Sequence, residues 1–230
     1  MRLITQYNKH DKFLLAVDCI IFGFDGTKLK VLLIQRDFEP GKGKWSLMGG
    51  FVNRNESVTD AAARVLFELT KLSDIYMEQL HCFGEVARDP GGPVISIAHF
   101  ALISIEKYDQ QMDVTHHAKW FDLDKLPSLL FDHKKMIGQA KERLQNRVAN
   151  HPIGFALLPE KFTLPQLQLL YEAIYGVEID KRNFARKILS LHILKKLKIK
   201  EKNTSRKGAF LYVFDSKKYQ KLDKEGFRLI

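Results

Sequence analysis

Apolar runs separated by turn-forming residues divide the first two-thirds of the chain into short strands and two helices. Val17 to Phe24 and Leu29 to Arg36 predict a pair of strands joined through Asp25-Gly26. Trp45 to Val52 predicts another, Val94 to Ile105 a long β-rich run, and Lys119-Trp120-Phe121 a further strand. Val58, Ala61, Ala62, Val65, Leu69 and Leu72 recur at the spacing of an apolar helical stripe, which predicts a helix starting near Glu56-Ser57. Leu126-Pro127 breaks the chain before a second helix, from about His133 to Asn150. Asn150-His151-Pro152-Ile153-Gly154 then reads as a linker, because Pro and Gly punctuate it.

The last third has its own pattern. Thr163 predicts an N-cap, with Pro165 in the first turn, where a missing N–H is tolerated. Leu167, Leu170, Tyr171 and Ile174 form an apolar stripe ending at Gly176. Asp180 caps a second helix through Leu189, in which Phe184, Ile188 and Leu191 (or Leu189) pack inward. Lys181, Arg182, Asn183, Arg186 and Lys187 then face outward. Ile193 to Lys200 and Ala209 to Phe214 predict a hairpin whose polar tip carries Arg206 and Lys207. Helix, tight turn, basic helix and basic hairpin fit a winged helix-turn-helix. Its second helix enters a DNA major groove, while the tip meets phosphate or the minor groove. A small basic α+β domain docking on the first domain or on another protein fits the same residues.

Charge supports two units. Residues 1–150 carry 20 Lys and Arg against 19 Asp and Glu, whereas residues 151–230 carry 17 against 8. A basic balance alone reads as a solvated face, but its concentration in one small patterned unit points to a polyanion. The expected units are therefore 1–150 and 151–230. Hydrophobic content of 45% is enough for a real core. Met1 to Lys12 has no apolar export region, and the run Phe13 to Phe24 is too short for a bilayer and is interrupted by Asp18. The expectation is a cytoplasmic, nucleoid-associated protein with no membrane partner. Cys19 and Cys82 read as two buried free thiols. His99 and His116-His117 lack metal-ligand spacing, so no metal or cofactor is expected.

Candidate chemistry concentrates between residues 50 and 72. Gly50, five residues, Glu56, seven residues, then Arg64-Val65-Leu66-Phe67-Glu68-Leu69-Thr70-Lys71-Leu72 resembles the Nudix hydrolase signature. Gly50, Glu56, Arg64, Leu66, Glu68 and Leu72 fit it. Val65 and Leu69 stand where the resemblance implies metal-binding glutamates, and Lys71 stands where it implies Gly. Magnesium needs a near-octahedral set of oxygens before it can clamp a diphosphate and activate water. On a helix, 65 and 69 belong to the packed stripe, while Glu68 lies one turn from Arg64 and pairs with it. Glu85 or Asp89 could still bring a carboxylate from outside the box. With Met48 in place of the Pro usual before Gly-Gly, the box predicts binding rather than hydrolysis.

Both halves together resemble the Nudix-related transcriptional regulators, in which a Nudix-like effector domain is fused to a C-terminal winged helix. Trp45 to Phe51, Phe131-Asp132-His133, Asp180 to Phe184 and Arg206 to Tyr212 carry much of the resemblance. It implies a two-domain α/β (α+β) fold, with a mixed sheet and helices followed by a winged helix-turn-helix. It also implies a homodimer on palindromic double-stranded operator DNA. Some members respond to ADP-ribose and control NAD metabolism, others to pentoses such as arabinose. The degenerate box places the expectation on the sugar-responsive branch, because without a metal only Arg36, Arg88 and nearby lysines would neutralise a diphosphate. Asp18, Arg36, Trp45, Ser46, Arg88 and Asp89 are the candidate effector residues. Each has a plainer reading: Trp45 as a core aromatic, Asp18 as a buried carboxylate paired with backbone or Arg36, and Arg88-Asp89 as a surface hairpin. An ADP-ribose-responsive regulator and a pyrophosphohydrolase of nucleoside diphosphate sugars remain the alternatives.

Overall fold

The structure is a computed structural model and describes residues 7, 9–108, 117–201 and 208–224. The apolar runs fold as strands β1 (Leu14–Phe24), β2 (Leu29–Gln35), β3 (Trp45–Ser46) and β4 (Met48–Phe51), followed by helix α1 (Val58–Thr70). Then come β5 (Glu78–Phe83), β6 (Val94–Ser104), the short α2 (Ile105–Tyr108), β7 (Lys119–Asp122) and α3 (His133–Asn150). Seven strands form one sheet ordered β3-β2-β1-β6-β5, with β4 also on β1 and β7 also on β2. β1 and β6 run parallel from Leu14↔Val94 to Phe24↔Ser104, and the other ladders are antiparallel. β1 is buried from Ala16 onward because both faces of its strand are covered.

Strand alternation divides that core into two layers. Val17, Cys19, Ile21, Leu32 and Ile34 pack with Ala61, Ala62, Val65 and Leu66 of α1. Ile20, Phe22, Phe24, Val31 and Leu33 pack with Met136, Ile137, Ala140, Leu144 and Val148 of α3. Ser57 caps α1 in a reciprocal box with Asp60, satisfying orphan N–H groups of the first turn. At the other end Lys71 takes the left-handed conformation, φ 62°, that favours Gly.

The basic third folds as β8 (Phe162–Thr163), α4 (Leu164–Tyr175), α5 (Lys181–Ser190), β9 (Leu194–Glu201), β10 (Ala209–Phe214) and α6 (Ser216–Lys224). β8, β10 and β9 form a three-stranded sheet. Thr163 caps α4 together with Gln166, Gly176 ends it at φ 72°, and Asp180 caps α5. Leu167, Leu170, Tyr171, Ile174, Phe184 and Ile188 are buried in the same core layer as α3. The chain is thus a two-domain α/β protein, a Nudix-like mixed sheet followed by a winged helix-turn-helix.

Three features differ from the sequence reading. The linker segment is a 3-10 helix, Pro152–Leu157, with Pro152, Gly154 and Leu157 buried. Pro and Gly there serve close packing: a Cβ on Gly154 would stand 3.3 Å from Val148. Cys82 is exposed, since β5 is an edge strand and this residue points to solvent. Cys19 is buried, its thiol donating to the Ala62 carbonyl, and burial pushes its pKa up. β5 and α6 escape the pattern because each contains too few apolar residues to show a period.

Lys71→Gly removes a side chain from a left-handed position and is expected to raise stability by about 0.5–1 kcal/mol. Thermal or urea denaturation checks this, and an unchanged or lowered midpoint contradicts it.

Candidate functional site

The candidate effector site is a cleft of ≈ 170 Å³ lined by Asp18, Arg36, Phe38, Phe51, Arg88, Asp89, Phe131 and His133, with the Gly49-Gly50 backbone as part of its wall. Asp18 lies on the α3 side of β1, in step with Ile20 and Phe22, and is 5% exposed. A buried carboxylate needs partners, and three elements supply them. Ser96 of β6 donates to its Oδ2 at 2.5 Å. His133, the first residue of α3, approaches Oδ1 through Nε2 at 3.5 Å. Arg88, from the β5–β6 loop, stands 3.8 Å from Oδ2. Gly49 is required beside this carboxylate, because a Cβ there would overlap Asp18 Oδ1.

Arg88 is fixed by Asp132, which accepts from Nε at 3.1 Å and from a terminal nitrogen at 2.7 Å. Its side chain is only 4% exposed. Lys135 ties the same loop to α3 by a 2.8 Å pair with Glu85, one of the two carboxylates outside the box. The other, Asp89, accepts from the Gly91 N–H at 2.7 Å. His133 Nδ1 accepts from the Leu47 N–H at 3.2 Å, which places the ring proton on Nε2, facing Asp18. Burial lowers the His133 pKa, with Asp18 and Asp132 opposing and Arg88 and Arg36 reinforcing that direction.

At the mouth of the cleft the Arg36 guanidinium lies 4.0 Å from the Phe38 ring centroid and 5.8 Å from that of Phe131. Its Nε donates to the Pro40 carbonyl at 3.0 Å. Four of the six candidate effector residues therefore meet: Asp18, Arg36, Arg88 and Asp89. Trp45 and Ser46 stand outside. Trp45 packs edge-on against Phe121, and the buried Ser46 hydroxyl donates to the Leu47 carbonyl. Phe38, Phe131 and His133 also line the cleft and Asp132 holds Arg88 there, none of them among the six sequence candidates. The Phe131-Asp132-His133 triplet was the available signal. Asp18 is held by Ser96, His133 and Arg88 rather than by the Arg36 partner considered from sequence.

The Nudix box keeps its internal bonding with Val65 and Leu69 in place of two signature glutamates. Arg64 donates to both oxygens of Glu56 (2.9 and 2.7 Å), to Glu68 (3.1 Å) and to the Phe51 carbonyl (2.9 Å). The bond from Arg64, helped by the Asn53 N–H, pulls the Glu56 pKa down to about 2. Val65 is buried against Gly50, and Leu69 packs into the α1 layer. Both remaining box carboxylates are spent on one guanidinium, so these residues do not fit a Nudix magnesium site.

The candidate nucleic-acid face is α5. Lys181, Arg182, Asn183, Arg186 and Lys187 are exposed, while Phe184 and Ile188 are buried. Leu191 joins the core and Leu189 is 40% exposed. Arg186 donates to Asn183 Oδ1 at 2.9 Å, so two candidate readers brace each other. Arg206 and Lys207 lie outside the described residues.

Fold and cleft together define a Nudix-domain protein joined to a winged-helix DNA-binding domain. The NUDIX domain family model matches residues 12–141, and the NrtR DNA-binding winged helix domain model matches residues 154–214. The ADPR responsive transcriptional repressor NtrR of Acinetobacter baylyi is 34% identical over 94% of this chain and 88% of its own length. The crystal structure of Shewanella oneidensis NrtR complexed with a 27mer DNA is 33% identical, with a TM-score of 0.77, over 90% of this chain and 95% of that one. The NUDIX domain of the same protein complexed with ADP ribose is 33% identical, with a TM-score of 0.53, over 63% of this chain and 99% of that one. The chain belongs to the NrtR family of Nudix-related transcriptional regulators. The expected sugar-responsive branch is thereby corrected: the Acinetobacter baylyi relative is an ADPR responsive repressor, and the Shewanella oneidensis NUDIX domain is seen with ADP ribose. Missing metal glutamates are therefore a poor guide to effector class, since two guanidinium groups, Arg36 and Arg88, still line the cleft.

Below about pH 6.5 the unfolded chain protonates His133 while the folded chain resists, so the unfolded state binds more protons and stability falls with acidification. His133→Asn, which keeps an acceptor for the Leu47 N–H, is expected to flatten this fall. Urea midpoints from about pH 7.5 to about pH 5.5 measure it. Equal slopes in the two proteins contradict it.

Proposed function

We propose that this chain is an ADP-ribose-responsive transcriptional regulator of NAD metabolism whose Nudix-like cleft binds the effector without hydrolysing it. Residues 1–150 act as the sensing unit and residues 151–230 as the operator-binding unit. The observation that carries the reading is the Arg36 guanidinium between Phe38 and Phe131, above a cleft whose box carboxylates are withdrawn onto Arg64. A guanidinium matches phosphate oxygens geometrically, and aromatic walls suit a nucleobase. Val65 and Leu69 remove two box carboxylates, and Arg64 holds the two that remain, which disfavours a metal-bound water.

Operator recognition is assigned to the exposed basic side of α5, with Arg182 and Asn183 reading base edges and Lys181, Arg186 and Lys187 favouring phosphates. Arg206 and Lys207, between β9 and β10 in sequence, are assigned further phosphate contacts. The protein acts as a homodimer, so that two such helices address two half-sites.

Fluorescence anisotropy with labelled DNA from upstream of its own gene tests this. The expected outcome is a specific complex whose affinity changes roughly 5–150-fold with saturating ADP-ribose, the range of ordinary allosteric coupling. An operator affinity indifferent to ADP-ribose contradicts it.

A further inference from the structure

We infer that α3 is the element that carries effector occupancy to the helix-turn-helix, with Asp132 as its input and Gln145 and Tyr175 as its output. The inference rests on the proposed function and concerns how the cleft governs the winged helix. One end of α3 is built into the cleft. Asp132, just before the helix, holds Arg88 with two hydrogen bonds, and His133 contacts Asp18. Lys135 in the first turn holds Glu85 of the same loop. The cleft loop therefore hangs on the first turn of α3 by two ion pairs.

Further along α3, 12 residues and roughly 18 Å from His133, the helix is bonded to the winged helix. Gln145 Nε2 donates to the Ile174 carbonyl at 2.9 Å, and Tyr175 Oη donates to the Gln145 carbonyl at 3.1 Å. These two reciprocal bonds grip the last turn of α4. That turn in turn fixes the entry to α5: Glu172 accepts from the Ile179 N–H at 2.9 Å, and Gln168 donates to the Ile179 carbonyl at 3.0 Å. Asp180, the next residue, caps α5. Met136, Ile137, Ala140, Leu144 and Val148 bury the length of α3 in a core shared with both domains, so it moves as a unit.

The step that starts the movement is an exchange of partners. A diphosphate in the cleft offers oxygens to Arg88 in competition with Asp132, and a phosphate takes a guanidinium in the same bidentate geometry. Loosening Arg88 from Asp132 frees the first turn of α3. The resulting shift reaches α4 through Gln145 and Tyr175 and changes the orientation of α5. Gln145 and Tyr175 are positioning residues; they touch neither effector nor DNA.

The test uses the full chain, ADP-ribose and operator DNA. Gln145→Met removes the donor to Ile174, and Tyr175→Phe removes the donor to Gln145 while keeping the ring beside Tyr171. The double variant and Tyr175→Phe alone, the milder change, are compared with the unaltered chain. Calorimetry gives the ADP-ribose affinity, and anisotropy gives operator affinity with and without ADP-ribose. The expected result is both separate affinities within about twofold of the unaltered chain, with the ADP-ribose effect on operator binding reduced at least about fivefold. An unreduced effect in both variants overturns the inference. So does loss of operator binding in the absence of ADP-ribose, since the bonds would then be structural. An unaltered chain that ignores ADP-ribose overturns the proposed function itself, and this route with it.

Discussion

Burial of the Asp18 carboxylate in the middle of an apolar strand is the constraint around which the cleft is organised. In a low-dielectric core such a group is tolerated only with hydrogen-bond partners and compensating charge. Its partners come from β6, the β5–β6 loop and the start of α3, so meeting its requirement assembles three remote segments at one point. Gly49 follows from the same constraint, because the backbone passes too close to Asp18 for any side chain. Arg88 in turn needs Asp132, which fixes the end of α3 relative to the sheet. The cleft and the longest helix are thus one construction.

The opposite face of the sheet shows how the box frame persists without two of the glutamates of its signature. Arg64 still ties Glu56, Glu68 and the Phe51 carbonyl together, which holds the box loop on α1. Val65 fills the space under Gly50. Restoring a carboxylate at 65 would place a charge in that packed layer, so the loss of metal ligands and the integrity of the core are now linked. Lys71 in its left-handed position shows that the box has also lost the glycine that its backbone favours.

Much of the architecture was legible because it depends on local periodicity. The limits of α3, the stripe of α4 and the inward and outward faces of α5 are properties of neighbouring residues and of caps such as Thr163 and Asp180. The cleft was only half legible. Asp18 stands out as a charge within an apolar run, but Ser96, Arg88 and His133 are distant in sequence, and nothing local links them to it. Phe38 and Phe131 are single aromatics in irregular segments, with no period to distinguish them. Trp45 and Ser46 belong to a motif neighbourhood, yet they serve the core. The effector class was not legible, because Arg36 and Arg88 are far apart in sequence and nothing local shows that both line one cleft, with Phe38 and Phe131 beside Arg36.

The central claim is that the cleft recognises ADP-ribose through its own side chains, with no metal and no turnover. The most direct measurement is calorimetric titration of ADP-ribose into the chain in excess EDTA, with chromatography of the recovered ligand after a second titration in magnesium. Saturable binding at one site per chain in EDTA, with intact ADP-ribose recovered from both titrations, is the predicted result. Binding that requires magnesium, or the appearance of AMP, would contradict it.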